Sequence, residues 1–145
     1  MSDDDGEWNR LLRLAGEARD RAYAPYSGFS VGAALEADDG TIYTGCNVEN
    51  ASYGLTVCAE RTALGTAVSS GSRRFSRMAL SIRGGPPVSP CGACRQVLAE
   101  FSPELLVCSE AEGVRSLWRL DELLPARFSR RSLAEGAGED GPSHE

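Results

Sequence analysis

The sequence predicts an α/β fold of three layers, in which a mixed five-stranded sheet lies between helices on both of its faces. Short apolar stretches with the alternation of strands are separated by longer stretches with helical periodicity. An Asp-Asp-Gly turn joins the first two strands as an antiparallel hairpin, and the later strands follow helices, which favours crossover connections. The chain has 145 residues, which fits one domain.

The first half of the chain predicts a helix followed by a hairpin. Apolar residues recur at helical spacing over residues 8–22, and the Pro- and Gly-containing stretch 24–28 ends this pattern. Residues 30–37 alternate as a strand does, and residues 41–46 form the return strand. The turn at 38–40 contains Asp-Gly, which accepts a positive φ and therefore suits a tight hairpin.

The second half predicts a helix, a strand, a helix, two strands and a short helical turn. Their approximate bounds are 58–69, 78–82, 91–101, 105–108, 114–120 and 121–125. Residues 1–128 are therefore assigned to a single domain. Residues 129–145 are rich in Ser, Gly and Glu and lack apolar periodicity, which predicts a disordered C-terminal tail.

The charge of the chain lies mostly at its ends. The net charge is −6; residues 1–7 carry four carboxylates and no basic side chain, and residues 129–145 carry four carboxylates against two arginines. The two ends account for the whole net charge, so residues 8–128 are neutral overall. A neutral domain is a poor electrostatic match for a polynucleotide, so no nucleic-acid partner is expected. Apolar runs stay below the roughly 18 residues that a membrane span needs, so no membrane association is expected. The N-terminus also lacks the apolar core of a secretory signal. Five cysteines, two of them as C-x-x-C, favour a reducing cytoplasmic location.

Two short motifs bring three thiols and one carboxylate together. Cys58 and Glu60 form C-x-E, and Cys91 and Cys94 form P-C-x-x-C. A catalytic zinc takes three protein ligands and keeps a fourth position for water, and a sulfur-rich set selects zinc over hard cations. The one histidine, His144, is the penultimate residue, so the cysteines are the predicted ligands. Glu60 is the predicted acid and base.

Two further cysteines and two arginines have roles that the motifs alone do not decide. Cys46 and Cys108 lie in apolar strands and are expected to be core thiols. Arg61 and Arg95 directly follow the two motifs, and one or both are predicted to donate to ligand sulfurs and offset their negative charge. The alternative for Arg95 is a surface charge.

The segments 46–52, 58–63 and 90–97 resemble the small homotetrameric cytidine deaminases with three-cysteine zinc sites, and the similarity runs over about residues 23–128. The C-x-E and P-C-x-x-C pair alone is typical of zinc deaminases. The Asn-Val-Glu-Asn-Ala-Ser stretch narrows the resemblance to enzymes of free nucleosides. It implies a cytidine-deaminase-like fold and hydrolytic, zinc-dependent conversion of cytidine and deoxycytidine to uridine and deoxyuridine with release of ammonia. It also implies pyrimidine salvage and a homotetramer with shared active sites.

The resemblance also implies substrate contacts. It places Phe29 against the pyrimidine ring, although the residue alone reads as a core aromatic. Asn47 and Glu49 are spaced so that both side chains point to one side of an extended segment, and the resemblance assigns them to the ribose 3′-hydroxyl. An isolated N-x-E would instead predict a turn with a solvated glutamate. The backbone amide of Ala59 is implied to donate to the pyrimidine O2.

Two further residues are candidates for contacts between subunits. Tyr53 lies in the loop after the Asn-Val-Glu segment, where it reads as a surface or interface residue. Phe128 follows a proline stop, and the resemblance places it near the pyrimidine in a neighbour's site.

Three alternatives remain open at the sequence level. The chain could deaminate a related substrate, either a blasticidin-type nucleoside antibiotic or a base in a polynucleotide. It could also bind zinc in a closed site, with Cys46 or Cys108 as a fourth ligand. Finally, it could be a non-catalytic partner-binding protein that retains its metal, which an assay of ammonia release would decide.

Overall fold

A computed structural model describes residues 3–136 of the chain. The strands are β1 (Val31–Ala37), β2 (Ile42–Cys46), β3 (Phe75–Ile82), β4 (Leu106–Ala111) and β5 (Val114–Arg119). Within the described residues they form one mixed five-stranded sheet in the order β2-β1-β3-β4-β5. The β3–β4 pair is parallel, and the other neighbouring pairs are antiparallel.

Helices pack on both faces of this sheet. They are α1 (Asp3–Arg19), α2 (Ala59–Ser69), α3 (Gly92–Ala99), α4 (Leu120–Leu123) and α5 (Arg130–Gly136), and a single 3₁₀ turn covers Tyr53–Leu55. The predicted three-layer α/β fold is confirmed. The helix predicted over 8–22 begins earlier and ends at Arg19, because residues 20 and 21 form a turn and Tyr23 bridges to Val48.

Alternation along the central strands separates the core into two clusters. Ala34 of β1, Ala79 of β3 and Cys108 of β4 face α1 and pack with residues such as Leu11. Their neighbours face α2 and α3, in a larger cluster that includes Ala33, Leu35, Met78, Leu80 and Val107. Because side chains alternate across a strand, one run of apolar residues supplies both faces of the central layer.

A glycine brings α2 close to the hairpin. A Cβ added at Gly45 of β2 would lie 2.9 Å from the carbonyl oxygen of Ala59 and closer still to the backbone nitrogen of Ala63. Distances of this kind do not occur between real side chains and backbone, so the first turns of α2 rest directly on the β2 backbone. This contact fixes the height of α2 above the sheet.

The C-terminal segment differs in part from its prediction. Within 129–145, residues 130–136 form the short helix α5, and residues 137–145 lie outside the described residues. Leu133 is 53% exposed, so α5 contributes little apolar burial. This is why the sequence there shows no packing pattern, although the local backbone is helical.

Over residues 3–136, every helix is too short or too polar to cross a bilayer.

Candidate metal centre and adjoining pocket

The three predicted ligand thiols converge at the amino ends of α2 and α3. The sulfurs of Cys58, Cys91 and Cys94 all lie within 4.8 Å of one another. The Cys58–Cys91 sulfur distance is 3.9 Å and the Cys91–Cys94 distance is 3.4 Å. A tetrahedral zinc with bonds of about 2.3 Å would separate its sulfur ligands by about 3.8 Å, so these residues fit the ion. Cys46 and Cys108 lie outside this cluster; Cys108 is buried, and Cys46 is half-buried with its thiol directed to the Arg21 carbonyl.

Helix geometry stabilises negative charge on these sulfurs. Cys58 and Cys91 are the N-cap residues of α2 and α3, and the Cys91 sulfur accepts from the Cys94 amide. Hydrogen bonds from Cys94 first, and then from Arg61 and Cys91, lower the pKa of Cys58 to about 5. The Cys94 thiol, which donates to Cys58 and is buried, has a raised pKa. The positive ends of the two helices favour thiolates in the same way.

Glu60 is the buried carboxylate of the site. It lies in the first turn of α2 with 6% of its surface exposed. Desolvation is the main cause that raises its pKa to about 7, and the nearby Cys58 charge adds to the effect. A carboxyl group with a pKa near neutrality can both accept and donate a proton at physiological pH.

The two arginines next to the motifs have different partners. Arg61 donates from Nη2 to the Cys58 sulfur at 3.7 Å and to the Thr56 carbonyl at 3.5 Å. Arg95 instead donates to three oxygens: the Pro90 carbonyl at 2.7 Å, the Ser89 hydroxyl at 2.7 Å and the Leu123 carbonyl at 2.9 Å. The structure therefore directs Arg61 to a sulfur, and it directs Arg95 to the loop before Cys91.

A pocket of about 250 Å³ opens beside the thiols. Its walls include two of the three thiols, Glu60 and most of the predicted substrate contacts: Phe29, Asn47, Glu49, Cys58, Ala59, Glu60 and Cys91. The third thiol, Cys94, is buried behind them. Ser27, Val31, Thr56, Leu80, Ile82, Val88 and Ser89 complete the lining. The volume lies near the lower limit of about 300 Å³ for small-molecule sites. One cavity thus joins the metal centre to the Asn-Val-Glu segment.

Asn47 is held by the backbone before β1. The residue is 7% exposed; its side-chain oxygen accepts from the Val31 amide at 2.9 Å, and its side-chain nitrogen donates to the Phe29 carbonyl at 2.7 Å. An amide group has two N–H donors, so one donor is left over. The same bonds fix the backbone of Phe29, whose ring is 43% exposed at the pocket rather than in the core.

Glu49 is held by a turn that sequence reasoning missed. One of its oxygens accepts from the amides of Tyr26 at 2.9 Å and Ser27 at 3.1 Å, and the other accepts from the Ser27 hydroxyl. The Ser27 hydroxyl bond is the largest cause that lowers the pKa of Glu49. The sequence signal was the Pro-Tyr-Ser-Gly turn, because serine in such turns bonds to nearby backbone, as Ser27 does with the Phe29 amide at 2.9 Å.

Tyr53 and Phe128 do not line this pocket. Tyr53 is 74% exposed, lies near Tyr26 with ring centroids 5.8 Å apart, and lines a smaller adjoining cavity of about 180 Å³. Phe128 is 60% exposed, and its carbonyl accepts from Gln96 of α3 at 2.7 Å. Both rings therefore extend from the surface of the single chain.

Phe128 also borders a larger cavity, of about 690 Å³. Its charged lining residues are five arginines and one carboxylate: Arg73, Arg74, Arg127, Arg130, Arg131 and Glu100. The cavity contains none of the thiols, so the smaller pocket is the candidate site.

Comparisons with known proteins agree with this assignment. Residues 6–110 match the family described as the cytidine and deoxycytidylate deaminase zinc-binding region. A cytidine deaminase from Sporosarcina psychrophila is 48% identical over 88% of this chain and 96% of its own length. The crystal structure of cytidine deaminase from Burkholderia pseudomallei is 48% identical, with a TM-score of 0.80 over 83% of this chain and 98% of that one. A blasticidin-S deaminase from Bacillus cereus is 33% identical over 69% of this chain and 77% of its own.

Proposed function

Because the chain belongs to the cytidine and deoxycytidylate deaminase family, we propose that it hydrolyses cytidine and deoxycytidine to uridine and deoxyuridine, with release of ammonia. The observation that carries this function is a single pocket lined by Cys58 and Cys91 of the three-thiol cluster, by the buried Glu60 carboxyl and by the polar pair Asn47 and Glu49. The first group of residues suits the reacting end of a nucleoside, and the polar pair suits its sugar. Pyrimidine salvage is the corresponding role.

Cys58, Cys91 and Cys94 would hold the zinc ion. When bound, zinc supplies a Lewis acid that lowers the pKa of water towards neutrality. Three thiolates give such a centre a net negative charge, which weakens this acidity. The Arg61 guanidinium donates to the Cys58 sulfur and draws charge away from it.

Glu60 is proposed to move the protons of the reaction. It takes one proton from water and delivers it to N3 of the cytosine ring while the water oxygen bonds to C4. It then takes the remaining proton from the new C4 hydroxyl and passes it to the exocyclic amine; the C4–N bond breaks, the C4 carbonyl forms, and ammonia leaves. Burial suits Glu60 to both steps because its pKa of about 7 lies between those of a typical carboxylic acid and a strong base.

Backbone groups are proposed to orient the base. The Ala59 amide lies in the first turn of α2, where helix N–H groups have no partner within the helix and can donate to the pyrimidine O2. Carbonyls near Ser89 can accept from the leaving amine. Arg95 already donates to the Pro90 carbonyl, so it fixes the orientation of this loop.

The sugar end offers one donor and one acceptor. Asn47 keeps a single free N–H, since its other polar positions bond to the backbone near Phe29. Glu49 keeps acceptor capacity on the oxygen that faces Ser27. A hydroxyl both donates and accepts, so this pair complements one sugar hydroxyl, which we assign as the 3′-hydroxyl.

A homotetramer with shared active sites is proposed for the assembled enzyme. Several large apolar side chains are exposed on the single chain, among them Tyr53, Leu55 and Phe128. Exposed apolar surface suits contacts between subunits, and symmetric assembly would bury it. In such an assembly Tyr53 and Phe128 of one subunit would reach the pocket of another.

The remaining partner assignments are also proposals. Reduced cysteines at the metal centre suit the cytoplasm, and free nucleosides require no nucleic-acid or membrane surface. The arginine-lined cavity is the feature that could contradict the expected absence of a nucleic-acid partner, because it concentrates positive charge. Fluorescence anisotropy with single-stranded DNA at 0.15 M salt should show no binding at micromolar protein.

A direct assay tests the proposed activity. The decrease in ultraviolet absorbance should be followed with cytidine, deoxycytidine and blasticidin S, each with ammonia measured in parallel. We expect turnover of the two pyrimidine nucleosides and little turnover of blasticidin S. Preferred use of blasticidin S would overturn the substrate assignment, and no ammonia from any of the three would favour a non-catalytic zinc protein.

A further inference from the structure

We propose that Ser27 is a positioning residue for sugar recognition, because it aims the one carboxylate oxygen of Glu49 that can still accept a hydrogen bond. This inference rests on the proposed role of Glu49 at the 3′-hydroxyl. Ser27 lies 22 residues before Glu49, in the turn between α1 and β1.

The two oxygens of Glu49 have unequal partners. Oε1 accepts from two backbone amides, those of Tyr26 and Ser27. Each carboxylate oxygen offers about two acceptor positions, so Oε1 is saturated. Among the residues that the structure describes, Oε2 accepts from the Ser27 hydroxyl alone, which leaves one position for a ligand. The oxygen available to a nucleoside is therefore the one that Ser27 holds.

The direction of the Ser27 hydroxyl is itself determined. Its oxygen accepts from the Phe29 amide at 2.9 Å, so its proton is free to point to Glu49 Oε2. Ser27 thereby connects the backbone of Phe29, at the base end of the pocket, to the carboxylate at the sugar end. A single hydroxyl group couples the two contacts.

Backbone anchors hold the rest of Glu49 without Ser27. The Glu49 amide donates to the Tyr23 carbonyl at 2.9 Å, and the adjacent Val48 exchanges two hydrogen bonds with Val57. Removing the Ser27 hydroxyl should thus leave the segment in place and free the aim of Oε2, while Asn47 still holds the Phe29 backbone through its carbonyl. The loss should appear in binding of the 3′-hydroxyl and should spare the chemistry at C4.

The test compares two competitive inhibitors that differ only in the 3′-hydroxyl, 2′-deoxyuridine and 2′,3′-dideoxyuridine. Inhibition constants would be measured against cytidine deamination for the wild-type chain, Ser27→Ala, Ser27→Thr and Glu49→Gln. Ser52→Ala is a matched control, since Ser52 lies in a nearby loop and lines neither the pocket nor its neighbour.

We expect Ser27→Ala to weaken 2′-deoxyuridine about 5-fold, the size expected for loss of one ordinary hydrogen bond, and to leave 2′,3′-dideoxyuridine within about 2-fold. Ser27→Thr and Ser52→Ala should behave as the wild type does, and zinc content should be unchanged throughout. The ratio of the two constants comes from one enzyme sample, so partial unfolding of a variant cancels.

The outcomes separate the inference from the function on which it rests. If Glu49→Gln weakens the two inhibitors equally, the sugar role of Glu49 is wrong. If Glu49→Gln discriminates between them and Ser27→Ala does not, the role of Ser27 is overturned.

Discussion

At the scale of single residues, the proposed role of Glu60 can be tested directly by substitution. Replacing Glu60 with Gln keeps its size and removes the proton it carries. We expect turnover to fall by about 10²–10⁴-fold, with zinc content and melting temperature retained. Steady-state kinetics with metal analysis would measure this, and Glu100→Gln, at an exposed glutamate, is the control. Turnover near that of the wild type would exclude Glu60 as the acid and base.

The second prediction at this scale is that a ligand cysteine is required for zinc binding and that a core cysteine is not. Cys91→Ala should lose both zinc and activity, because the site keeps only two sulfurs and zinc prefers at least three protein ligands. Cys108→Ala is the matched control, since Cys108 is also a free thiol but lies in the core beneath α1. It should keep one zinc per chain. A zinc-replete Cys91→Ala protein would contradict the ligand assignment.

At the scale of secondary-structure elements, Arg95 connects three parts of the chain. From α3 it bonds to the loop at Ser89 and Pro90 and to the end of α4 at Leu123. Arg95→Met should lower the free energy of unfolding by about 2–3 kcal/mol, because partly buried acceptors lose their donors. Denaturant melts would show it. Arg83→Met, at an arginine whose side chain is 66% exposed, should cost less than about 1 kcal/mol. Equal losses in the two variants would contradict this role.

The C-terminal helix gives the opposite expectation. Truncation after residue 129 removes α5, whose Leu133 is half exposed and therefore buries little apolar surface. We expect the melting temperature and turnover to change little, as measured by thermal melts and steady-state assays. A loss of more than about 1 kcal/mol in the free energy of unfolding would give this segment a structural role.

The elements also show what the sequence could and could not predict. The hairpin was predictable because Asp-Asp-Gly encodes it locally, and Gly40 does adopt a φ of 91°. The metal motifs were predictable because the residues of each motif lie within four positions of one another in the sequence, at the start of one helix. The contacts of Ser27 with Glu49 and of Arg95 with Leu123 span 22 and 28 residues, respectively. Such bonds depend on how elements approach in space, which no local pattern records.

At the scale of the whole molecule, the proposed tetramer makes Phe128 a test of shared sites. Phe128→Ala should raise the Michaelis constant by about 10-fold or more with zinc content unchanged, because an aromatic contact to the base contributes about 1–3 kcal/mol. Leu133→Ala, at the other exposed apolar residue of this segment, is the control. Native mass spectrometry of the wild-type chain would measure the assembly directly. An active monomer at assay concentration would contradict shared sites.

The contact between Gly45 and α2 has a consequence for how this catalyst can be altered. The first turn of α2 carries Ala59 and Glu60, and it rests on the strand that leads, two residues later, to Asn47. A methyl group at 45 would force that turn away from the strand and so change the spacing between Glu60 and the Asn47 segment. The spacing across the pocket is therefore set in part by Gly45, a residue that does not line the pocket. Redesign for a ligand of different length should therefore begin at strand β2 and only then proceed to the residues that line the pocket.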